Sequence, residues 1–274
     1  MNKIIWIFSL VALMTFATIF CMQPNRAYAG LEDGLVSAWK FDDGTARDYA
    51  GRNNGIIHGG VKSVSGRFKN AMDFNGKDGY IEVPDSASLR QDKFTVSAWI
   101  NVRKGNNHAA IFFKGEKVGW GDHFMVRVCT TSDTNMTWGT TWAGTEGWFA
   151  TDNVITTKQW YHVCMTADGS KATAYVAKDG EKPKVPPSGQ TNPHDSKPPL
   201  HKFEGKPVEI GVGRAVGGTV GNDAYFDGII DEVHFWSRAL SADEVGQLAA
   251  GALPVAVEPV GKLATAWGAI KIEH

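Results

Sequence analysis

Two adjacent acids, Asp231 and Glu232, stand in the run FDGIIDEVHFW at residues 226–236. Carboxylates in pairs can cleave a glycosidic bond or hold a cation, and their spacing decides which. Successive side chains on a β-strand point to opposite faces, so these two cannot act as a pair with each other. The same phase puts Asp231 with Ile229, Val233 and Phe235 on an apolar face, and Glu232 with His234 and Trp236 on the other. An acid on an apolar face must be ion-paired, hydrogen-bonded or metal-bound. Arg238 is the nearest candidate partner for Asp231, and a turn cap and a metal ion are the alternatives.

Other acids lie in turn-like surroundings. Asp42, Asp43 and Asp48 occur in FDDGTARDYAGRNN, beside glycine and asparagine. Calcium takes several oxygen ligands from loops of this kind, so Asp42, Asp43, Asp48 and Asp231 are the candidate ligands of a structural calcium. Such residues also cap their own turns, and no run here has the spacing of a dedicated calcium loop. A sugar site needs a different set: exposed aromatic rings with hydrogen-bonding groups beside them. NMTWGTTWAGTEGWF carries Trp138, Trp142 and Trp148 among threonines and glycines, and Trp120 lies in KVGWGDH. These four tryptophans are the candidate ligand platform, against the alternative that they pack the core or rim.

The elements that must position these residues are strands. Aromatics make up 11% of the 274 residues, there are 31 glycines, and short apolar-alternating runs such as LVSAWKF, FTVSAWINV and QWYHVCMTAD are separated by turn residues. This predicts an all-β, two-sheet antiparallel sandwich. One helix is expected: Ser241 and Glu244 form a capping box, Val245, Leu248 and Ala249 an apolar side, and Gly251 the stop. Residues 178–207 hold seven of the eleven prolines and read as an insert loop. Residues 252–274 read as a linker and tail. Met1 to Ala29 reads as a signal peptide, with an apolar stretch from Ile4 to Met22 and cleavage after Ala29, and an uncleaved membrane anchor is the alternative. Losing Lys3 and Arg26 leaves 26 basic against 29 acidic residues, net −3. With no basic run, nucleic acid is not an expected partner. In an exported chain the pair Cys129 and Cys164 suggests one disulfide, and two buried thiols are the alternative.

Five phrases in order resemble the LamG-like jelly-roll family of the concanavalin A-like lectin/glucanase superfamily: LVSAWKFDDGTARDYAGRNNGIIHG, GRFKNAMDFNGKDGYIEV, FTVSAWI, KQWYHVCMTADG and FDGIIDEVHFWSRALSADEV. They span residues 31–250. The resemblance implies a jelly-roll sandwich with a short C-terminal helix. It also implies a secreted or cell-surface binding module for carbohydrate or extracellular protein, often with calcium. Laminarinase-type hydrolases of the superfamily carry Glu-x-Asp-x-Glu on one strand, and this spacing is absent here. A serine-nucleophile elbow, a phosphate loop and a dinucleotide fingerprint are absent too. The expectation is a non-catalytic, carbohydrate-binding lectin-like domain, with a protein-adhesion module and a glycosidase or lyase as the alternatives. The Pro-rich insert departs from the short hairpin usual in the family.

Overall fold

The computed structural model describes residues 30–116, 123–142, 145–186, 192–213, 224–251 and 253. Contacts divide the chain into two units, Met1–Asp33 and Gly34–His274, and every described strand belongs to the second. The alternating runs become β1 (Leu35–Trp39), β2 (Ile56–His58), β3 (Lys62–Ser65), β4 (Asn70–Asn75), β5 (Tyr80–Val83), β6 (Phe94–Lys104), β7 (Ala109–Glu116) and β8 (His123–Thr130). They continue as β9 (Met136–Trp142), β10 (Thr145–Thr151), β11 (Trp160–Ala167), β12 (Lys171–Lys178), β13 (His194–Asp195), β14 (Val208–Ile210), β15 (Val212–Gly213), β16 (Ala224–Tyr225) and β17 (Asp227–Trp236).

Two large antiparallel sheets result, as the sequence predicts, and β15 and β16 pair as a separate two-stranded ribbon. The eight-stranded sheet runs β13-β12-β11-β6-β17-β4-β3, with β1 also paired to β17; the seven-stranded sheet runs β10-β9-β8-β7-β14-β5-β2. Their facing sides bury one apolar core. Phe235 of β17 stacks on Phe94 of β6 and, across the sandwich, on Phe112 of β7, each at 5.9 Å between ring centres. Ring pairs of this kind add about 0.5–1.5 kcal/mol to the gain from burial.

β17 changes partner along its length. Asp227–Ile230 pairs with β4, and Val233–Trp236 pairs with β1. Between the two, the register against β6 slips by one residue, and Glu232 takes a left-handed φ of 49°. This is a β-bulge, which adds a residue and shifts the side-chain phase. Ile230 and Val233 therefore both face the core although three positions apart. The expected phase of Asp231 is corrected by the same device: it lies on the outer face, away from Val233 and Phe235.

Helix α1 (Ala242–Ala250) closes the domain. Its capping box is complete, with Ser241 Oγ accepting from Glu244 N–H and the Glu244 carboxylate accepting from Ser241 N–H, and it buries Val245, Leu248 and Ala249. The insert is not a detached loop. Its described part lays β13 against β12, then crosses to the other sheet, where Leu200 bridges to Trp142 and His201 N–H donates to the Thr141 carbonyl at 2.9 Å.

Candidate ligand-binding face

The acids singled out by spacing prove to be scaffold. Asp231 sits where β17 leaves β4 and has not yet met β1. Its Oδ2 accepts from Phe68 N–H at 2.9 Å, and Gly66 passes so close that a Cβ there would lie 2.6 Å from the same oxygen. Asp231 thus anchors the turn at 66–69 to the bulge. Arg238, the expected partner, is instead fastened to Glu244 by two hydrogen bonds of 2.6 and 3.1 Å. Burial pushes the Asp231 carboxyl up to about 7, offset by the Phe68 N–H and raised further by the charge of Glu232. Glu232 is buried too, with His234 Nε2 at 3.1 Å and Lys40 Nζ at 3.8 Å.

The calcium ligand set does not fit a cation. Asp48 spends both oxygens on backbone, accepting from Ala38, Ala50, Gly51 and Asn53 N–H at 2.9–3.0 Å. Asp43 caps its own turn through Thr45 N–H and Oγ at 2.9 and 2.6 Å. Asp42 faces two ammonium groups, Lys69 at 2.8 Å and Lys40 at 3.9 Å. Among the described residues no three His, Cys, Asp or Glu side chains converge as a metal site. Lys40 Nζ stands between Asp42 at 3.9 Å and Glu232 at 3.8 Å.

The disulfide expectation is corrected. Cys129 and Cys164 are both buried thiols, not joined to each other. Cys129 lies on β8 beside Ala110 and Phe113, on the outer side of the seven-stranded sheet. Cys164 lies opposite Ser97 on the outer side of the eight-stranded sheet, so the sandwich separates them. Burial pushes the Cys164 thiol up, which leaves it unreactive.

The tryptophans divide by strand phase. Trp138 is fully buried, its indole N–H donating to Thr151 Oγ1 at 3.1 Å, so it is core and no platform. Trp142 shares its parity and packs against the core, half-buried. Trp148 has the opposite phase and is 44% exposed. Trp120 lies outside the described residues. Trp148 pairs in register with Gly139, so the strand beside its ring offers bare backbone.

Following the register across the seven-stranded sheet gives one outer row. Trp148 lies opposite Gly139, then come Arg127, Phe113, Glu209, Glu82 and Ile56. Both ends are open, with Ile56 50% exposed, while Arg127, Phe113 and Glu209 are buried. Sequence parity assigns each residue a face within its own strand. Which residues lie side by side is set by pairing across the fold, so Arg127, Glu82 and Glu209 carried no local signal.

The exposed Trp148 ring beside Gly139 leaves an aromatic surface at one end of this row. A family model described as the concanavalin A-like lectin/glucanases superfamily matches residues 75–246. The chain belongs to this superfamily. No curated protein matches it. Among solved structures, this superfamily member is similar to domain 4 of AbnA, a GH43 extracellular arabinanase from Geobacillus stearothermophilus, in complex with arabinotriose. The identity is 21% and the TM-score 0.57, over 78% of this chain and 98% of that one. The binding domain of Paraclostridial Mosquitocidal Protein 1 gives 19% identity and a TM-score of 0.56, over 80% of this chain and 52% of that one. The binding domain of botulinum neurotoxin DC in complex with SialylT gives 12% and 0.54, over 80% and 51%. The chain thus spans about half the length of those two toxin domains, and likenesses at this identity establish the fold.

Proposed function

We propose that this chain is an exported, non-catalytic carbohydrate-binding domain whose ligand docks at Trp148 on the outer face of the seven-stranded sheet. The observation that carries the reading is an indole left 44% exposed beside bare strand backbone, on a face whose neighbouring phase is core. An exposed indole offers a flat apolar face and a donor N–H, both of which a sugar ring can use. That similar structures were obtained with arabinotriose and with SialylT supports carbohydrate as the class. A glycan array with the wild type and Trp148→Ala tests it. The variant should lose at least about tenfold in affinity for every glycan the wild type retains, with an unchanged melting midpoint. Binding by the wild type to no glycan points to the protein-adhesion alternative, and undiminished glycan binding by the variant removes Trp148 as the docking residue.

A further inference from the structure

The insert meets the ligand hairpin from below. His194, on β13, is 5% exposed. Its ring lies 5.0 Å from that of Phe149 and 6.5 Å from that of Trp142, on the two strands of the β9–β10 hairpin. Gly147, next to Trp148, has no room for a side chain: a Cβ there would lie 2.2 Å from the Trp142 ring and 2.7 Å from His194 Cδ2. Thr140 Oγ1 lies 3.5 Å from His194 Nε2 and donates to Ser196 Oγ at 3.1 Å. On its other side the insert is pinned to the eight-stranded sheet by the pairing of His194 with Ala172 and by Ser196 N–H donating to the Ser170 carbonyl at 2.9 Å. So the chain that departs from the family's short hairpin is a strut. It runs from β12 to the underside of the strand that displays Trp148.

His194 Nδ1 is buried with no hydrogen-bond partner, and the cost of burying a charge there outweighs what the Gly147 backbone and Asp195 return to a protonated ring. The groups near it do not change this. From β12 comes Lys171, which is fastened to Asp195 at 2.6 Å; Asp195 also meets Lys197 at 3.4 Å. From β9 and β10 come the Thr140 hydroxyl, the Gly147 backbone and two aromatic rings.

We propose that His194 is a positioning residue for Trp148: neutral, it wedges the β9–β10 hairpin in place, and on protonation it releases the hairpin. Ligand release on mild acidification is the consequence, and that consequence rests on the carbohydrate reading above. Burial holds His194 at about 4 while the wedge is seated, against 6.5 for a histidine in water. Protons therefore favour the open form over the window between these values, and by pH 5 the open-to-closed ratio rises roughly thirtyfold over its value at pH 7.5.

Hydrogen–deuterium exchange of residues 145–151, corrected for intrinsic rate and measured without ligand, reads this directly. In the wild type the opening equilibrium should rise about thirtyfold from pH 7.5 to 5, while the central β6 and β17 amides stay protected. In His194→Gln and His194→Phe, which cannot take the proton, the hairpin should show the same opening at both pH values. Equal wild-type protection at the two pH values overturns the proposal, and so does a pH-dependent opening that survives in either variant. If both variants unfold, the wild-type comparison still decides. Because no glycan enters the measurement, a failed carbohydrate reading and a failed strut give different results: the first leaves the exchange behaviour intact.

Discussion

The carboxyl of Asp231, pushed up to about 7 by burial, is half-ionised near neutral pH in the folded chain and fully ionised there in the unfolded one. A folded value above the unfolded one means that the native state holds the proton more tightly between about pH 4 and 7. The stability that this group contributes is therefore full below pH 4 and lost as pH rises through 7. Asp231→Asn removes that loss. In urea unfolding it should be ~2–3 kcal/mol more stable than the wild type at pH 8 and close to it at pH 4. A difference that is the same at both pH values would show that the acid is not the source. The sequence showed that this carboxylate needs a partner, since it stands in an apolar run. It did not show which, because the partner is a backbone N–H 163 residues away. Trp148 was legible only as one of four candidates, and strand phase singled it out once Phe149 was seen in the core.

At the scale of elements, what could be read locally was read well. The helix is announced by Ser241 and Glu244 within four residues, and those residues cap it. The bulge carries no such sign. A glutamate at φ 49° gives no hint in sequence, where glycine or asparagine would. Two glycines test the difference between a tight junction and an open one. At Gly66 a Cβ would meet Asp231 Oδ2 at 2.6 Å, Ala71 Cβ at 2.8 Å and the Phe68 carbonyl at 2.9 Å. Gly66→Ala should cost about 2 kcal/mol or more, because both the turn and the bulge must move. At Gly246, inside α1, nothing lies within 4 Å, and Gly246→Ala should stabilise by about 0.5–1 kcal/mol. Chemical denaturation of the two variants checks both, and a reversed order would disprove the packing described for the 66–69 turn.

For the whole molecule, proton uptake by buried histidines sets the acid limit. Burial holds His162 at about 3, with the neighbouring His234 adding to the effect, and holds His108 and His194 at about 4, with Arg127 adding to the effect at His108. These values are depressed below 6.5, so the stability involved is present above pH 6.5 and lost as pH falls toward 3. Asp231 works in the opposite direction but is one group against three. The melting midpoint should therefore drop steadily from pH 6.5 to pH 4, and a flat profile would contradict the burial of these rings. Two sheets and a closing helix were legible from period and punctuation alone, whereas register and the path of the insert depend on contacts far apart in sequence. The place of β17 has a consequence for how the chain is made. It lies inside the eight-stranded sheet, between β6 on one side and β4 and β1 on the other, yet among the described strands it is the last in chain order. Until residue 236 has emerged, the sheet has a gap at its middle and β1 has no partner. Such long-range closure gives a high contact order and slow folding, so the core stays incomplete until β17 has been made and has inserted.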